Sequence, residues 1–268
     1  MDFPVYFVNA FTTSFTGGNT AAVMIVQDYP EAGEMQAIAK FFGFSETAFL
    51  KQLAVNDYQI RWFTPEVEVP LCGHATLASA KCLFEFYHPQ AVELTFRSLS
   101  GELSVQRAGQ SIELNFPIDR PVNTSVAEDV LLAVVDVMPE EILFAPRTRN
   151  LVLIYPKAQT ILDTHPDFDC LVKLKDLPFF GIAISASTGD DAYVCRYFAP
   201  WEGINEDPVT GSAQTFLAPY WANRLGVKEL HGFQASARSG DFRVKVSGDR
   251  VLISGEAKII LKGSFTHP

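Results

Sequence analysis

Cys72-Gly73-His74-Ala75 is answered 138 residues later by Thr210-Gly211-Ser212-Ala213, and the neighbourhoods of the two stretches match. Arg61-Trp62-Phe63-Thr64-Pro65 stands before the first and Arg196-Tyr197-Phe198-Ala199-Pro200 before the second. Pro70 answers to Pro208, Phe42-Gly43 to Phe180-Gly181, and Ser100-Gly101-Glu102-Leu103 to Ser239-Gly240-Asp241-Phe242. The spacing stays between 135 and 139, the drift that loop insertions produce. The chain therefore reads as one unit used twice. Two copies are too few for a solenoid. They predict two domains facing each other, with a site between them where the copies differ chemically.

Working outward, strands are expected at 3–8 and 21–26, joined by a turn at Thr16-Gly17-Gly18-Asn19. Pro30 opens a helix on which Met35, Ile38, Ala39 and Phe42 recur at helical spacing, and Gly43 stops it. Strands follow at 46–51 and 57–63. A second helix begins at Gly73, and three strands come after it, at 91–97, 102–107 and 111–116. The second half repeats the plan, with strands near 141–145, 151–155, 180–185 and 191–198 and a helix near 167–176. Its site helix is expected to start at Gly211 and end before Gly226. Pro219 should kink that helix or shorten its regular part. Strands near 233–237, 241–246 and 250–254 complete the copy. A helical insert is read at 126–136, and a last strand, 257–262, is free to return to the first half. The expected domains are 1–117 with a returning segment at about 257–268, and 118–256. Each half has several antiparallel strands and a helix of small and apolar residues, apolar on most faces and so buried. The fold class is α+β, with strands curled around a central helix in each half.

At 268 residues the chain can hold one large domain or two of about 130 residues each, and a hydrophobic content of 48% supplies ample core material. The formal net charge of −10 and the lack of any basic cluster exclude a nucleic-acid partner. No Lys or Arg precedes Lys40, which argues against a signal or transit peptide. No apolar run approaches the ~18 residues of a membrane helix, so no membrane partner is expected. Cys72, Cys82, Cys170 and Cys195 are too few and scattered for a disulfide framework. The expectation is a reduced, cytoplasmic protein.

Gly73 and Gly211 each precede a buried helix, whose first N–H groups lack intrahelical acceptors and so offer an anion site. Two ordinary helix starts that happen to contain glycine are the competing reading. Glu46 lies in the apolar stretch Phe44-Ser45-Glu46-Thr47-Ala48-Phe49, and its repeat counterpart is Ile184. A carboxyl in such surroundings should have a raised pKa, which suits a group that takes and returns a proton. Alternatively it points outward from a half-buried strand. His74 stands where the second half has Ser212; beside a helix N-terminus its imidazole is held toward the neutral form, though a structural histidine would serve the same pattern. Asp207, just before the second site helix, is either a functional carboxylate or a turn and capping residue. Cys72 could be a thiolate base, but its counterpart Thr210 cannot take a proton at neutral pH, so Cys72 reads as a packing residue. The histidines 74, 88, 165, 231 and 267 show no metal-ligand spacing. No phosphate loop or nucleophile elbow is present. Neither metal nor cofactor is expected.

These motifs resemble the PhzF-like family, named for the phenazine-biosynthesis isomerase, within the diaminopimelate-epimerase-like superfamily. The carriers are Asn9-Ala10-Phe11-Thr12, Gly18-Asn19-Thr20-Ala21-Ala22-Val23 and Ser45-Glu46-Thr47. Further carriers are Arg61 with Phe63-Thr64-Pro65, Glu68 and Cys72-Gly73-His74-Ala75-Thr76-Leu77-Ala78. Phe198-Ala199-Pro200 and Glu206-Asp207-Pro208-Val209-Thr210-Gly211-Ser212-Ala213 complete the set. Thr20 stands where the family often has proline. The resemblance implies a cofactor-free isomerase moving a proton on a dihydro-hydroxyanthranilate ring, and it makes a homodimer plausible. It places the catalytic carboxylate on Glu46 and the substrate contacts on Ser45, Gly73, His74, Asp207, Gly211 and Ser212. In the superfamily's epimerases paired cysteines occupy the places of Cys72 and Thr210, and losing the second fits a one-base shuttle.

The functional expectation is an isomerase of a small anionic carboxylate. Glu46, His74 and Asp207 are its acid–base set, and Ser45, Gly73, Gly211 and Ser212 bind substrate. An epimerase of an amino or hydroxy acid, with His74 or Asp207 as second base, is the alternative within catalysis. A non-catalytic small-anion binding protein is the alternative outside it.

Overall fold

The computed structural model describes residues 2–135 and 137–266. His267 and the last two positions of the expected returning segment lie outside them, as does residue 136 at the end of the expected insert. The chain divides into two compact units. One runs to Phe116 and resumes at Leu252, and the other is Pro117–Val251.

The first unit contains β1 (Asp2–Ala10), β2 (Asn19–Val26), α1 (Ala32–Phe42), β3 (Glu46–Ala54), β4 (Asp57–Phe63) and β5 (Glu68–Val69). It continues with α2 (Gly73–Cys82), β6 (Glu93–Ser98), β7 (Gly101–Ala108) and β8 (Ser111–Pro117). The second contains β9 (Val122–Asn123), α3 (Glu128–Val134), β10 (Glu141–Ala145), β11 (Asn150–Ile154), α4 (Ala158–Asp163) and α5 (Phe168–Leu171). After these come β12 (Gly181–Ser187), β13 (Ala192–Ala199), β14 (Ile204–Glu206), α6 (Gln214–Leu225), β15 (Glu229–Gln234) and β16 (Gly240–Ser247), and β17 (Arg250–Gly255) starts in the second unit and continues into the first. β18 (Ala257–Thr266) follows and pairs antiparallel with β1, from Asp2 opposite Thr266 to Ala10 opposite Ala257.

The strand pairings repeat between units. β1–β2, β3–β4, β4–β5 and β6–β7 are antiparallel, with β2–β3 and β4–β6 parallel. In the second unit β10–β11, β12–β13, β13–β14 and β15–β16 are antiparallel, with β11–β12 and β13–β15 parallel. β9 flanks β10 as β18 flanks β1. The fold is thus a mostly antiparallel α+β arrangement, given twice.

Packing follows the hydrophobic pattern. In the first unit Met35 and Ile38 of α1 bury against Val5, Met24, Phe49 and Phe63. Gly43 closes α1 in the left-handed region, φ 67°, its N–H on Ala39 O at 3.0 Å, a geometry that costs glycine little. α2 packs on β1, β2, β3 and β18, and every residue of it except Lys81 is buried. A helix buried on nearly all sides must be made of small residues, and Ala75, Ala78, Ser79 and Ala80 meet that demand. In the second unit α6 presents Trp221, whose indole N–H donates to Ser185 Oγ at 2.9 Å.

One ion pair recurs. Arg61 on β4 holds Glu68 on β5 in a bidentate pair, both bonds 2.7 Å, and Arg196 on β13 holds Glu206 on β14 likewise, both 2.8 Å. Each guanidinium also lies 5.2 Å from a ring two residues on, Phe63 or Phe198.

Three sequence expectations move. The helix expected to start at Gly211 begins at Gln214, because residues 211–213 form a preceding turn in which Gln214 N–H reaches Gly211 O at 3.2 Å. α6 then runs through Pro219 to Leu225. The carbonyl that proline leaves without its usual donor, Thr215 O, accepts from Asp119 N–H at 3.0 Å instead. Of the helix expected near 167–176 only the short α5 forms, capped by Asp167, whose side chain accepts from Cys170 N–H at 2.8 Å, and α4 before it was not anticipated. The strand expected at 233–237 lies at 229–234, with Leu230, Gly232 and Gln234 inward; glycine and an amide at inward positions hide the alternation.

Gly18 closes the turn before β2 at φ +69°, and a Cβ there would stand 2.3 Å from Ala10 O. Gly18→Ala therefore meets both a backbone penalty and a backbone clash. It should lower unfolding free energy by more than about 2 kcal/mol, read from urea denaturation of the purified protein.

Candidate active site

The first residues of α2 and the first residue of β3 meet in the first unit. Cys72 is the N-cap of α2 in extended conformation, Gly73 opens the helix and His74 follows. β3 begins at Glu46 beside Ala21 of β2. His74 is 2% exposed. Its Nε2 lies 3.2 Å from Glu46 Oε2, whose side chain is 15% exposed. The carboxylate thus points to the imidazole rather than outward to solvent.

The other face of the ring fixes its tautomer. Asn19 Nδ2, at the start of β2, lies 3.1 Å from His74 Nδ1. An amide nitrogen only donates, so Nδ1 accepts and the ring proton sits on Nε2, facing Glu46. The Nε2 contact is close in distance but not aligned to hydrogen-bond angles. Burial pushes His74 down to about 3. The sequence expectation of a neutral imidazole placed the cause in the helix N-terminus, whereas desolvation alone accounts for it. The Glu46–His74 contact therefore joins a carboxylate to a neutral N–H donor and is not an ion pair.

Asn19 is itself positioned. Thr20 Oγ1 donates to Asn9 Oδ1 at 2.7 Å, and Asn9 Nδ2 donates to Phe15 O at 2.7 Å, which ties the turn before β2 to β1. Asn19 was visible only as one polar residue in a motif; its burial at a strand start was the available signal.

Cys72 is more than a packing residue by position, since its Sγ lies 3.5 Å from His74 Nδ1. Donor atoms of Glu46, Cys72 and His74 all lie within 4.8 Å of one another. Ser45, just before Glu46, is partly exposed.

In the second unit the residues at the matching place form a different set. Asp207 is buried, and Thr210 Oγ1 donates to its Oδ2 at 2.5 Å. Gln234 on β15 clamps the segment between them: its Oε1 accepts from Thr210 N–H at 2.8 Å and its Nε2 donates to Asp207 O at 2.6 Å. Ser236 Oγ adds a bond to Asp207 O at 3.0 Å. Gly211 and Ser212 occupy the turn before α6, where Ser212 O accepts from Thr215 Oγ1 at 2.7 Å. Ile184, the counterpart of Glu46, is fully buried in β12. Glu202, in the turn after β13, is pushed up to about 7, mainly by burial and secondarily by the charge of Asp207. Sequence reading found neither Gln234 nor Glu202. An amide facing inward from a strand was the signal for the first, and the second has none in sequence.

A twice-given sheet and buried helix thus carry, in one copy only, a carboxyl group set against a neutral imidazole, groups of the kind that take and return protons. Relatives sharpen this. The family model described as "Phenazine biosynthesis-like protein" matches residues 8–263. A protein named an uncharacterized isomerase from Pseudomonas aeruginosa is 42% identical over 265 residues, 99% of each chain. The crystal structure of a phenazine biosynthesis protein of the PhzF family from Enterococcus faecalis superposes with TM-score 0.90 at 37% identity, covering 100% of both chains. A hydroxyproline epimerase from Agrobacterium vitis shares the fold at TM-score 0.63 and 12% identity, covering 98% of this chain and 91% of that one. The chain belongs to the phenazine biosynthesis-like, or PhzF, family. Among the described residues no helix is long and apolar enough to cross a membrane.

His74 makes a pH signature. Its folded value is about 3 against an unfolded 6.5, so the unfolded chain binds the proton first as pH falls. Its contribution to stability is intact above about pH 6.5 and is lost progressively as pH drops toward 3. Wild-type protein should lose up to about 1.4 kcal/mol per pH unit more than His74→Gln between pH 6 and 4, measured by denaturant titration at fixed pH steps.

Proposed function

We propose that the chain is a cofactor-independent isomerase that shifts a proton on a small cyclic carboxylate, of which a dihydro-hydroxyanthranilate-like ring is the example the family suggests. Glu46 removes the proton from an activated carbon and returns it elsewhere on the same face. His74, neutral and 3.2 Å away, keeps Glu46 placed or assists the proton relay. Asp207 assists with the substrate's polar groups, and Ser45, Gly73, Gly211 and Ser212 contact it, backbone N–H groups at Gly73 meeting the substrate's own carboxylate.

The observation that carries this reading is the 3.2 Å approach of Glu46 Oε2 to a neutral, buried imidazole. A carboxylate so held is a base that needs no other group to be ionised first. The repeat argues that it works alone, since Ile184 and Thr210 stand where a second carboxylate or a second thiol would.

Glu46→Gln keeps size and hydrogen bonding and removes the titrating group. It should lower kcat by about 10²–10⁴ or more with binding largely kept, while Cys72→Ala costs far less. Steady-state assays with a ring carboxylate decide this, and a dead Cys72→Ala beside an active Glu46→Gln would reverse the assignment to thiol chemistry.

A single base also predicts the isotope pattern. The proton it takes is the proton it gives back, so early product formed in D₂O should carry less than one full deuterium, read by mass spectrometry. Full deuteration from the first turnover with inversion at the labelled carbon makes the enzyme a two-base epimerase instead.

A further inference from the structure

Gln234 does more than hold its loop, because its partners fix its orientation atom by atom. A backbone N–H only donates and a carbonyl oxygen only accepts. The amide oxygen of Gln234 therefore faces Thr210 N–H, at 2.8 Å, and its amide nitrogen faces Asp207 O, at 2.6 Å. The second hydrogen on that nitrogen points between Thr210 Oγ1 at 3.3 Å and Ser236 Oγ at 3.2 Å. Thr210 Oγ1 thus receives a donor from the side of β15. Its own single proton is left for the other side, where Asp207 Oδ2 lies at 2.5 Å. The direction runs from amide to hydroxyl to carboxylate, with Asp207 Oδ2 as the terminal acceptor.

Thr210 is held so that it cannot turn away. Its N–H is bound by Gln234, and its carbonyl accepts from Gln214 Nε2 at 3.1 Å. Gln214 is fixed in turn by Tyr193, whose hydroxyl donates to Oε1. Asp207, Thr210, Gln214, Gln234 and Tyr193 are all buried. The repeated frame does not by itself demand this arrangement. Ser98 pairs with Gly101 in the first unit as Gln234 pairs with Gly240 in the second, and its hydroxyl donates to Gly101 O at 2.9 Å. Cys72, the counterpart of Thr210, brings its Sγ to His74 Nδ1. The counterparts put their polar atoms to other uses.

We infer that Thr210, aimed by Gln234, is a positioning residue that presents Asp207 as a fixed hydrogen-bond acceptor. The substrate group that meets Asp207 is then an N–H or O–H donor, an amino or hydroxyl substituent rather than a second carboxylate. Asp207 does not carry the reacting proton, since a proton on Oδ2 would face the Thr210 proton head on. The inference rests on the proposed place of Asp207 at the substrate and states what it does there.

Thr210→Val keeps the shape of the side chain and removes the hydroxyl, whereas Thr210→Ser keeps the hydroxyl. Crystal structures of the two test the orientation without substrate. In Thr210→Val the Asp207 carboxylate should leave its place by about 1 Å or more, because a methyl group cannot satisfy a buried oxygen. In Thr210→Ser it should stay. Steady-state kinetics with a dihydro-hydroxyanthranilate ring test the consequence. Thr210→Val should raise KM by about 10–100-fold, the range of one hydrogen bond to a charged group, with kcat within about threefold of wild type. Thr210→Ser should return KM to the wild-type range. An Asp207 that keeps its place in Thr210→Val overturns the inference, and so does a displaced Asp207 with wild-type KM. A loss confined to kcat, whether from a proton step or from misfolded protein, overturns it as well. If the wild type does not turn the ring over, the proposed reaction fails, and the crystal comparison alone decides how Asp207 is oriented. Thr210→Ala takes the place of Thr210→Val in both measurements if that variant does not fold.

Discussion

Two bidentate arginine–carboxylate pairs anchor the segments that lead into the two buried polar clusters of this chain. Arg61 with Glu68 and Arg196 with Glu206 each clip a very short strand to a long one. A strand of two or three residues has too few ladder bonds to hold itself, and a charge-assisted fork supplies the missing rigidity. From Glu68 the chain reaches Cys72 and His74 within six residues, and from Glu206 it passes at once into Asp207. The position of each polar cluster is therefore inherited from an ion pair that takes no part in the cluster itself. The same pair, kept in both units, is why the units can differ so freely beyond it.

What differs is the use made of one position. In the first unit the residues after the clip form a nearly dry enclosure for an imidazole, with Asn19 on one ring nitrogen and Glu46 on the other. In the second the equivalent segment is locked to its own strand by Gln234, and its carboxylate is hydrogen-bonded to Thr210. The first arrangement sets a carboxyl group against a neutral imidazole, and the second uses its polar atoms to hold a loop still. The two copies share a frame and differ in the polar groups set on it.

How much of this was legible in the chain depended on whether the signal was periodic. Met35, Ile38, Ala39 and Phe42 announced α1 and Gly43 its end, and the paired glycine motifs announced the repeat. Motif resemblance singled out Glu46 and His74, while composition and spacing left open which way they pointed. Their contact is long-range, and nothing in sequence states that residue 46 and residue 74 are neighbours. The misses share a cause. Thr215 O found its donor in Asp119, far away in the chain, and α6 runs on through Pro219 but starts at Gln214 rather than Gly211. Gln234 sat inward on a strand whose alternation it disguised. Glu202 became a near-neutral titrating group only through burial beside Asp207. In each case tertiary surroundings overruled a local rule.

The pairing of β1 with β18 has a consequence for synthesis on the ribosome. The second unit is continuous in sequence and can close as soon as it has been made. The first cannot, because its outer strand is translated after the whole of the second unit. During that interval β1, rich in Val, Tyr and Phe, lacks the partner that β18 supplies in the finished fold. Domains whose strands wait in this way are the ones most exposed to misassembly while nascent. The order of folding is thus opposite to the order of translation: the first unit begun is the last finished.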